Sequence, residues 1–414
     1  MSSLSIVIPA YNEAGAIGTV LERVLALGPA FREVGLEEWE VIVVDDGSRD
    51  RTAEEAASYP GVRLIRHPVN RGYGAALKTG FAHARGEWLA FLDADATYPP
   101  EALPMLYQIA QSTAADLVVG SRMSGRDSEM PTVRRVGNWI FAALLRVLGS
   151  AAISDSASGM RVLRRSALER LYPLPDGLNF TPAMSARAVY ENIRMVEVPI
   201  PYRERMGQSK LHPLRDGLRF LHAIVWTVMT YNPVRVLGLT GFGLGMIGLA
   251  LAGSAVLWPG STGWPFPRLF AAVILMALGL HLFAVGALFN YLVSLFHKRP
   301  IRQGLFGRPL LRRPLEQCFL PMGLLGIALG IALYGWATLA GLTAPSSPAP
   351  WFVPAVSALA VVMGVDLITA GLLVRALSEL SRRELQIQRD LAPDPTATAP
   401  TARPVIEAPT PLSS

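Results

Sequence analysis

Trp88-Leu89-Ala90-Phe91-Leu92, running directly into Asp93-Ala94-Asp95, is the stretch that decides the fold. A fully apolar run of this kind reads as a strand covered on both faces, and its C-terminal end carries two carboxylates. The pattern recurs twice upstream. Val41-Ile42-Val43-Val44 leads into Asp45-Asp46-Gly47-Ser48-Arg49-Asp50, and Ser5-Ile6-Val7-Ile8 leads into Pro9-Ala10-Tyr11-Asn12-Glu13. Strands are expected over residues 4–8, 40–44, 62–65, 87–92 and 117–119, with Ala-rich helices over 17–27, 52–58 and 74–84 between them. Such alternation builds a mainly parallel α/β sheet of the nucleotide-binding kind, whose ligand sits at the C-terminal strand ends.

A single Asp after a strand is often only a helix cap, and Asp50 before Thr52 is equally well read that way. Acids at the ends of three strands of one sheet ask for more. Asp93 and Asp95, on one turn, can converge on a hard divalent cation, Mg²⁺ or Mn²⁺, which typically shares its oxygen ligands between one or two carboxylates and a substrate diphosphate. Asn70-Arg71-Gly72-Tyr73-Gly74-Ala75-Ala76-Leu77 is not a dinucleotide fingerprint, because Leu77 stands where the third glycine would be, and no P-loop occurs. It reads as a glycine-rich turn that lets backbone approach a nucleotide sugar. His67 and His83 read as ordinary loop and helix residues. The single cysteine, Cys318, excludes a disulfide framework and any CxxC-type site.

Composition divides the chain in two. It has 414 residues, 51% of them hydrophobic and 17% charged, with a mean hydropathy of +0.34, too high for an ordinary soluble globule or a disordered chain. The excess lies beyond residue 232. Residues 236–258, 269–296, 319–342 and 351–374 are long apolar stretches, each sufficient for the roughly 20 residues that cross a hydrocarbon core. Lys298, Arg299, Arg302, Arg308, Arg312 and Arg313 crowd the loop between the second and third stretches, whereas the other two loops hold only Arg268. Basic loops stay cytoplasmic, so four spans place both the N-terminal domain and the C-terminal tail on that side. The N-terminus has no basic, long-apolar leader, which agrees with a cytoplasmic first domain. Residues 379–414, ending in a Pro/Thr/Ala tract, are expected to be a disordered cytoplasmic tail. Asp366, alone among acids in a span, is expected to face the helix bundle with His281 or Asn290 as partner.

Two basic segments bridge the halves. Residues 133–148 place Val136, Trp139, Ile140, Leu144 and Val147 at helical spacing beside Arg134 and Arg135. Residues 214–229 place Leu218, Leu221, Val225 and Trp226 beside Arg215 and Arg219. Both read as amphipathic helices at a membrane surface, or else as core helices packed on the sheet. The net charge of +6 suits an anionic partner, a phosphate or a lipid surface, without arguing for nucleic acid.

The ordered set VIPAYNE, VVDDGSRD, NRGYGAALKTG and FLDADATYPPE resembles the family 2 glycosyltransferases of GT-A fold, over residues 4–232. Gly120-Ser121-Arg122, the segment Asp155-Ser156-Ala157-Ser158-Gly159-Met160-Arg161 and the segment Arg205-Met206-Gly207-Gln208-Ser209-Lys210-Leu211 narrow the resemblance to the polyprenyl-phosphate branch, the dolichol-phosphate mannose synthases and their bacterial glucosyl relatives. It implies an α/β GT-A (Rossmann-like) domain over 1–212, a juxtamembrane helix over 213–232 and a four-span helical transmembrane domain over 233–378. It implies an inner-membrane enzyme that moves a hexose, with inversion, from a nucleotide-diphosphate sugar to a polyprenyl phosphate.

Residue by residue, the resemblance implies that Pro9, Tyr11, Glu13, Val44, Asp46, Asp93, Ala94 and Asp95 bind the nucleotide sugar, with Asp93 and Asp95 on the metal. Arg122, Arg161, Ser209 and Lys210 match positions for the acceptor phosphate, and Asp95, Arg122, Arg205 and Lys210 match the catalytic set. Thr97 stands where many relatives carry Gln, and Arg203 could stand in for Arg205. A processive polysaccharide synthase is the competing enzyme reading. Its usual Q-x-x-R-W is lacking, since Gln386 to Arg389 has no Trp and lies in the tail. A membrane scaffold with a relic transferase domain is the non-enzymatic one. A homo-oligomer is compatible with either.

Overall fold

The computed structural model describes residues 2–123, 128–149, 153–203, 213–257, 266–297, 315–344 and 350–390. Among these, seven strands form one sheet: β1 (Ser3–Ala10), β2 (Glu38–Asp45), β3 (Val62–Arg66), β4 (Trp88–Phe91), β5 (Leu117–Ser121), β6 (Arg161–Arg164) and β7 (Met195–Pro199). Their spatial order is β3-β2-β1-β4-β6-β5-β7. Pairing is parallel throughout except at β6, which runs antiparallel to both β4 and β5. The five strands expected from the sequence are present; β6 inserts between β4 and β5, and β7 adds to the edge beside β5.

Helices α1 (Ile17–Leu25), α2 (Gly28–Glu33), α3 (Thr52–Ala57), α4 (Tyr73–His83), α5 (Leu103–Ser112), α6 (Thr132–Gly149), α7 (Arg165–Leu171) and α8 (Phe180–Tyr190) accompany the sheet. Strand alternation sends Ile6, Ile8, Val41, Val43 and Ala90 to one face, where Ile17, Val20, Val24, Phe31 and Leu106 cover them. Val7, Ile42, Leu89 and Phe91 face the other way, onto Leu77 and Phe81 of α4 and Phe180 and Met184 of α8. Each large side chain so buried contributes about 1.5–3 kcal/mol. Because chain order turns about β1, with β2 on one side and β4 on the other, the carboxyl ends of these three strands border a topological switch point.

Four further long helices come after α9 (Pro213–Tyr231): α10 (Pro233–Leu257), α11 (Phe266–His297), α12 (Phe319–Leu339) and α13 (Phe352–Asp390). Each contains a segment long and apolar enough to cross a membrane, namely Pro233–Ala255, Phe266–His297, Phe319–Leu339 and Phe352–Leu380. They pack as a row, α10 on α11, α11 on α13 and α13 on α12. Gly241 and Gly279 bring α10 and α11 into backbone contact, and Gly323 and Gly364 do the same for α12 and α13. The helix α13 runs unbroken to Asp390, past the expected start of the tail at 379. Its last turns are rich in Leu, Glu, Arg and Gln, strong helix formers, with no proline before Pro393. Residues 391–414 and the basic loop 298–313 lie outside the described residues.

The amphipathic segments are helices α6 and α9, and they do not turn their apolar stripes to the sheet. Val136, Trp139, Ile140 and Val147 of α6, with Leu218, Leu221 and Trp226 of α9, are exposed. Their opposite faces, Leu145, Leu148, Ile224 and Val228, pack together with Ala186 and Tyr190 of α8. Arg235, buried at the start of α10, donates from Nη1 to the carbonyl of Leu148 at 2.8 Å, and the Tyr190 hydroxyl donates to the same oxygen at 2.6 Å. The α6 C-terminus is thereby tied to the start of α10.

Candidate active site

The three acid-bearing strand ends converge on a cavity of about 720 Å³. Pro9, Tyr11, Glu13, Asp46, Asp93, Ala94, Asp95 and Arg122 all line it. Val44 does not: it is fully buried in β2 among the residues packed on α4. Arg205, Ser209 and Lys210 lie outside the described residues.

The loops after β1 and β2 brace each other. Asn12 adopts a left-handed φ of 52°, which Asn tolerates better than most side chains. Its backbone N–H donates to Ser48 Oγ at 2.9 Å, and its Oδ1 accepts the N–H of Arg49 at 2.8 Å. Asp50 accepts from the backbone of Ala14 and from both the N–H and hydroxyl of Thr52. Burial works against the Asp50 charge, but these donors hold its carboxyl below the usual range. Asp50 therefore knots the two loops; it is not the cap of α3, a position that Arg51 holds.

Asp46 is 2% exposed and holds the turn at 70–72: its oxygens accept the N–H groups of Arg71 at 2.9 Å and Gly72 at 2.8 Å. His67 Nδ1 lies 2.7 Å from the same carboxylate, and its Nε2 lies 2.9 Å from Thr79 Oγ1. His67 is thus a buried positioning residue and not the ordinary loop residue expected; nothing local marks it, because Asp46 and Thr79 reach it only through the fold. His83 is exposed, as expected of a helix residue.

Asp93 and Asp95 sit on a turn carried by Ala96 at φ 61°. The Tyr73 hydroxyl donates to Asp93 Oδ1 at 2.8 Å. Burial, then the Asp93 charge, holds the Tyr73 phenol well above its ordinary range, so it remains a donor. Thr97, almost fully buried, donates from its hydroxyl to Asp95 Oδ1 at 2.6 Å, so it orients this carboxylate and is not among the cavity-lining residues. A Cβ on Gly159 would collide with the Asp93 carboxylate, so the glycine lets the DSASGMR loop lie directly against it.

Arg122 forms a forked pair with Asp155, Nε to Oδ2 at 2.8 Å and Nη2 to Oδ1 at 2.7 Å. Tyr98 and Tyr202 flank the guanidinium, with ring centroids 5.9 and 5.5 Å away. Burial opposes both charges, yet each partner overcomes it for the other: Asp155 holds the guanidinium well above its usual range, and Arg122 holds the carboxyl below its own. Arg161 is wholly buried and away from the cavity lining. It donates to the carbonyls of Ser156 and Thr181 at 2.9 and 3.2 Å and from Nε to that of Ser158 at 3.1 Å. Its expected acceptor-phosphate contact is replaced by a role inside the DSASGMR loop, and burial brings its pKa down to about 10.

Helices α6 and α9 also line the cavity. They do so through Val133, Arg134, Val136, Gly137, Ile140 and Phe141 of α6 and Gly217, Arg219 and Phe220 of α9. One chamber therefore joins acidic strand ends to an apolar, arginine-edged wall.

Residues 5–172 match the family described as Glycosyl transferase family 2, and residues 233–388 match a domain of unknown function, DUF8752. An undecaprenyl-phosphate 4-deoxy-4-formamido-L-arabinose transferase of Pectobacterium atrosepticum is 31% identical over 306 residues, 72% of this chain and 90% of that one. The chain belongs to the family 2 glycosyltransferases. A low-salt glycan biosynthesis hexosyltransferase of Haloferax volcanii is 35% identical over 263 residues, and the match spans 61% of this chain and 60% of that relative's length. A dolichyl-phosphate hexose transferase of the same organism is 33% identical over 222 residues, 54% of this chain and 92% of that one. Among solved structures, glucosyl-3-phosphoglycerate synthase from Mycobacterium tuberculosis in complex with Mn²⁺, UDP and glucosyl-3-phosphoglycerate superposes with a TM-score of 0.44 and 23% identity, covering 55% of this chain and 80% of that one.

In this glycosyltransferase Gly72 of NRGYGAALK lines the cavity, and Gly72 and Gly74 also make room for another part of the chain. A Cβ on Gly74 would strike the carbonyl oxygen of Pro175, and one on Gly72, at φ 106°, would strike that of Asp176. The space they leave is filled by the enzyme's own loop, whose Asp176 carbonyl accepts the N–H of Ala75 at 3.1 Å and so caps α4. Lys78 donates to the Leu174 carbonyl at 3.1 Å and pairs with Asp176. Gly74→Ala is expected to cost about 1–3 kcal/mol through overpacking, read as a lowered melting temperature of the purified enzyme; an unchanged melting temperature would show that this loop is not seated on α4.

Proposed function

We propose that this glycosyltransferase moves a single hexose, with inversion, from a nucleotide-diphosphate sugar to a polyprenyl phosphate at the cytoplasmic face of the inner membrane. The observation that carries the reading is the shared cavity: Asp93 and Asp95 line it together with residues of α6 and α9, two helices that also expose large apolar side chains. The activities of two relatives, on undecaprenyl phosphate and dolichyl phosphate, support the same acceptor class. The four apolar helices and the exposed Trp139 and Trp226 suit a chain that is embedded in a bilayer and rests α6 and α9 on its surface. In domain terms, residues 1–212 form the transferase unit, 213–232 the interfacial helix and 233–378 the membrane unit.

The donor set at Asp93 and Asp95 fits a hard divalent cation. It is all oxygen, and among the described residues no group of three or more His, Cys, Asp or Glu could hold an ion alone, so substrate oxygens would complete the shell, as Mg²⁺ and Mn²⁺ commonly require. When bound, such an ion supplies Lewis-acid stabilisation of the departing nucleoside diphosphate. The chain's residues do the rest. Tyr73 and Thr97 fix the two carboxylates, and Asp46 holds the turn at 70–72 against the nucleotide. Arg122, kept ionised by Asp155, faces the cavity where donor and acceptor phosphates meet. The acceptor, a phosphate monoester with a second pKa of about 6, is already a nucleophile at neutral pH. No general base is needed; positioning two anions against their repulsion is the main task.

The reading is tested with purified enzyme, a panel of radiolabelled GDP- and UDP-sugars and undecaprenyl or dolichyl phosphate. Label should enter the organic phase from one donor. Label in a polymer would favour a processive synthase, and none from any donor would favour a relic scaffold. Lys210→Ala should lower turnover by roughly tenfold or more, exceeding the effect of removing any one of Arg299, Arg302, Arg308, Arg312 or Arg313, whose presence membrane topology alone explains. Equal losses from both sets would contradict the acceptor role of Lys210.

A further inference from the structure

We infer that the membrane helices associate with a second copy of this chain across the face that carries His281 and Asp366. His281 lies at the middle of α11, and Asp366 lies at the middle of the span Phe352–Leu380. They meet, Nδ1 to Oδ2, at 2.7 Å, as the expected partnership requires. The pair is not enclosed, however. Because the four helices form a row, the α11–α13 seam is open along its face, and the two side chains remain 44% and 30% exposed. The row closes only toward one end, where Phe319 meets Phe283, Leu367 and Ala370.

The pair joins Asp366 to one of its expected partners, yet it leaves part of an acid and of an imidazole on the outer face of apolar helices, where polar groups are costly. Around the pair the face is apolar. Ile274 and Leu278 on α11, with Val362 and Leu373 on α13, share its side at helical spacing and are exposed. A polar centre with an apolar surround is the anatomy of a surface that is covered in use.

A second copy is the occupant that the chemistry fits. A two-fold axis along the membrane normal keeps every residue at its own depth, so groups near the axis meet their own copies. The pair is self-complementary under that operation. His281 of one copy can donate to Asp366 of the other while Asp366 of the first accepts from the other's His281, and both carboxylates leave the lipid.

The test uses the full chain in native membranes, with Cys318→Ser to remove the endogenous thiol. Val362→Cys, beside the pair, should form a disulfide-linked dimer on mild oxidation, at least tenfold more than Met246→Cys, which is exposed on the outer helix α10. Asp366→Leu should reduce the Val362→Cys cross-link at least tenfold, and exchanging the pair by His281→Asp with Asp366→His should restore it. Because Val362→Cys leaves the pair intact, the first arm stands even if Asp366→Leu inserts poorly. A monomeric Val362→Cys chain would overturn the proposal. So would a cross-link indifferent to Asp366→Leu, or labelling of position 362 by a photoactivatable polyprenyl phosphate in place of a second chain. The proposal rests on reading α10–α13 as membrane spans; release of the chain by alkaline wash would overturn that reading and this one together, while retention with a monomeric cross-link profile would overturn this one alone.

Discussion

Asp95→Ala is expected to abolish sugar transfer while the protein stays folded and in the membrane fraction. The size of the loss comes from the site. Asp95 stands with Asp93 where the leaving diphosphate must be neutralised, and removing one group that stabilises transition-state charge costs about 10²–10³ in rate. The bonds from Asp95 to the N–H and hydroxyl of Thr97, two residues on, stay within one turn, so their loss is not expected to unfold the sheet. Thr97→Val should fall between wild type and Asp95→Ala, since it frees the carboxylate to turn without removing it. Transfer assayed in Mg²⁺ and then Mn²⁺ buffer, with circular dichroism as the folding control, measures both. Retention of most activity by Asp95→Ala would remove the cation from this turn.

Asp155→Ala carries the largest expected cost to stability. It strands Arg122, whose side chain is only 11% exposed and pairs with a fully buried carboxylate. Breaking such a pair from one side typically costs about 3–5 kcal/mol, because the remaining charge loses its partner without regaining water. Activity should fall as well, since the ionised Arg122 faces the cavity. The pH dependence has a definite sign. Asp155 has its folded pKa depressed below the ordinary aspartate range by Arg122, against the opposing effect of burial. Its contribution is therefore present above about pH 4, the unfolded value, and is lost as pH falls through the folded one. Melting temperatures of wild type and Asp155→Ala should lie far apart at pH 7 and converge on acidification. Parallel profiles at all pH values would contradict the pairing.

Much of the site is legible in the sequence because it lies at strand ends. WLAFL, VIVV and SIVI mark strands by composition, and parallel strands bring the residues at their carboxyl ends to one edge; hence Asp93, Asp95, Asp46, Tyr11 and Glu13 line one cavity. The features that escape depend on partners distant in sequence. Arg161-Val162-Leu163-Arg164 carries charges at both ends and gains strand character only by pairing antiparallel between β4 and β5. Met195–Pro199 is a strand because β5 lies beside it. The family resemblance implies a phosphate contact for Arg161, but the fold buries its side chain beside the carbonyls of Ser156, Ser158 and Thr181, which are brought to it by tertiary packing. The openness of the His281–Asp366 pair is hidden for a related reason: hydropathy gives the spans, and packing decides which faces they cover.

The most direct measurement is mass spectrometry of both products of one turnover, the lipid and the nucleotide. Transfer of the hexose to the acceptor phosphate yields a polyprenyl monophosphate hexose together with a nucleoside diphosphate, in equal amounts and absent from Asp95→Ala. A polyprenyl diphosphate sugar with release of a nucleoside monophosphate, or a sugar polymer with no lipid phosphate attached, would contradict it.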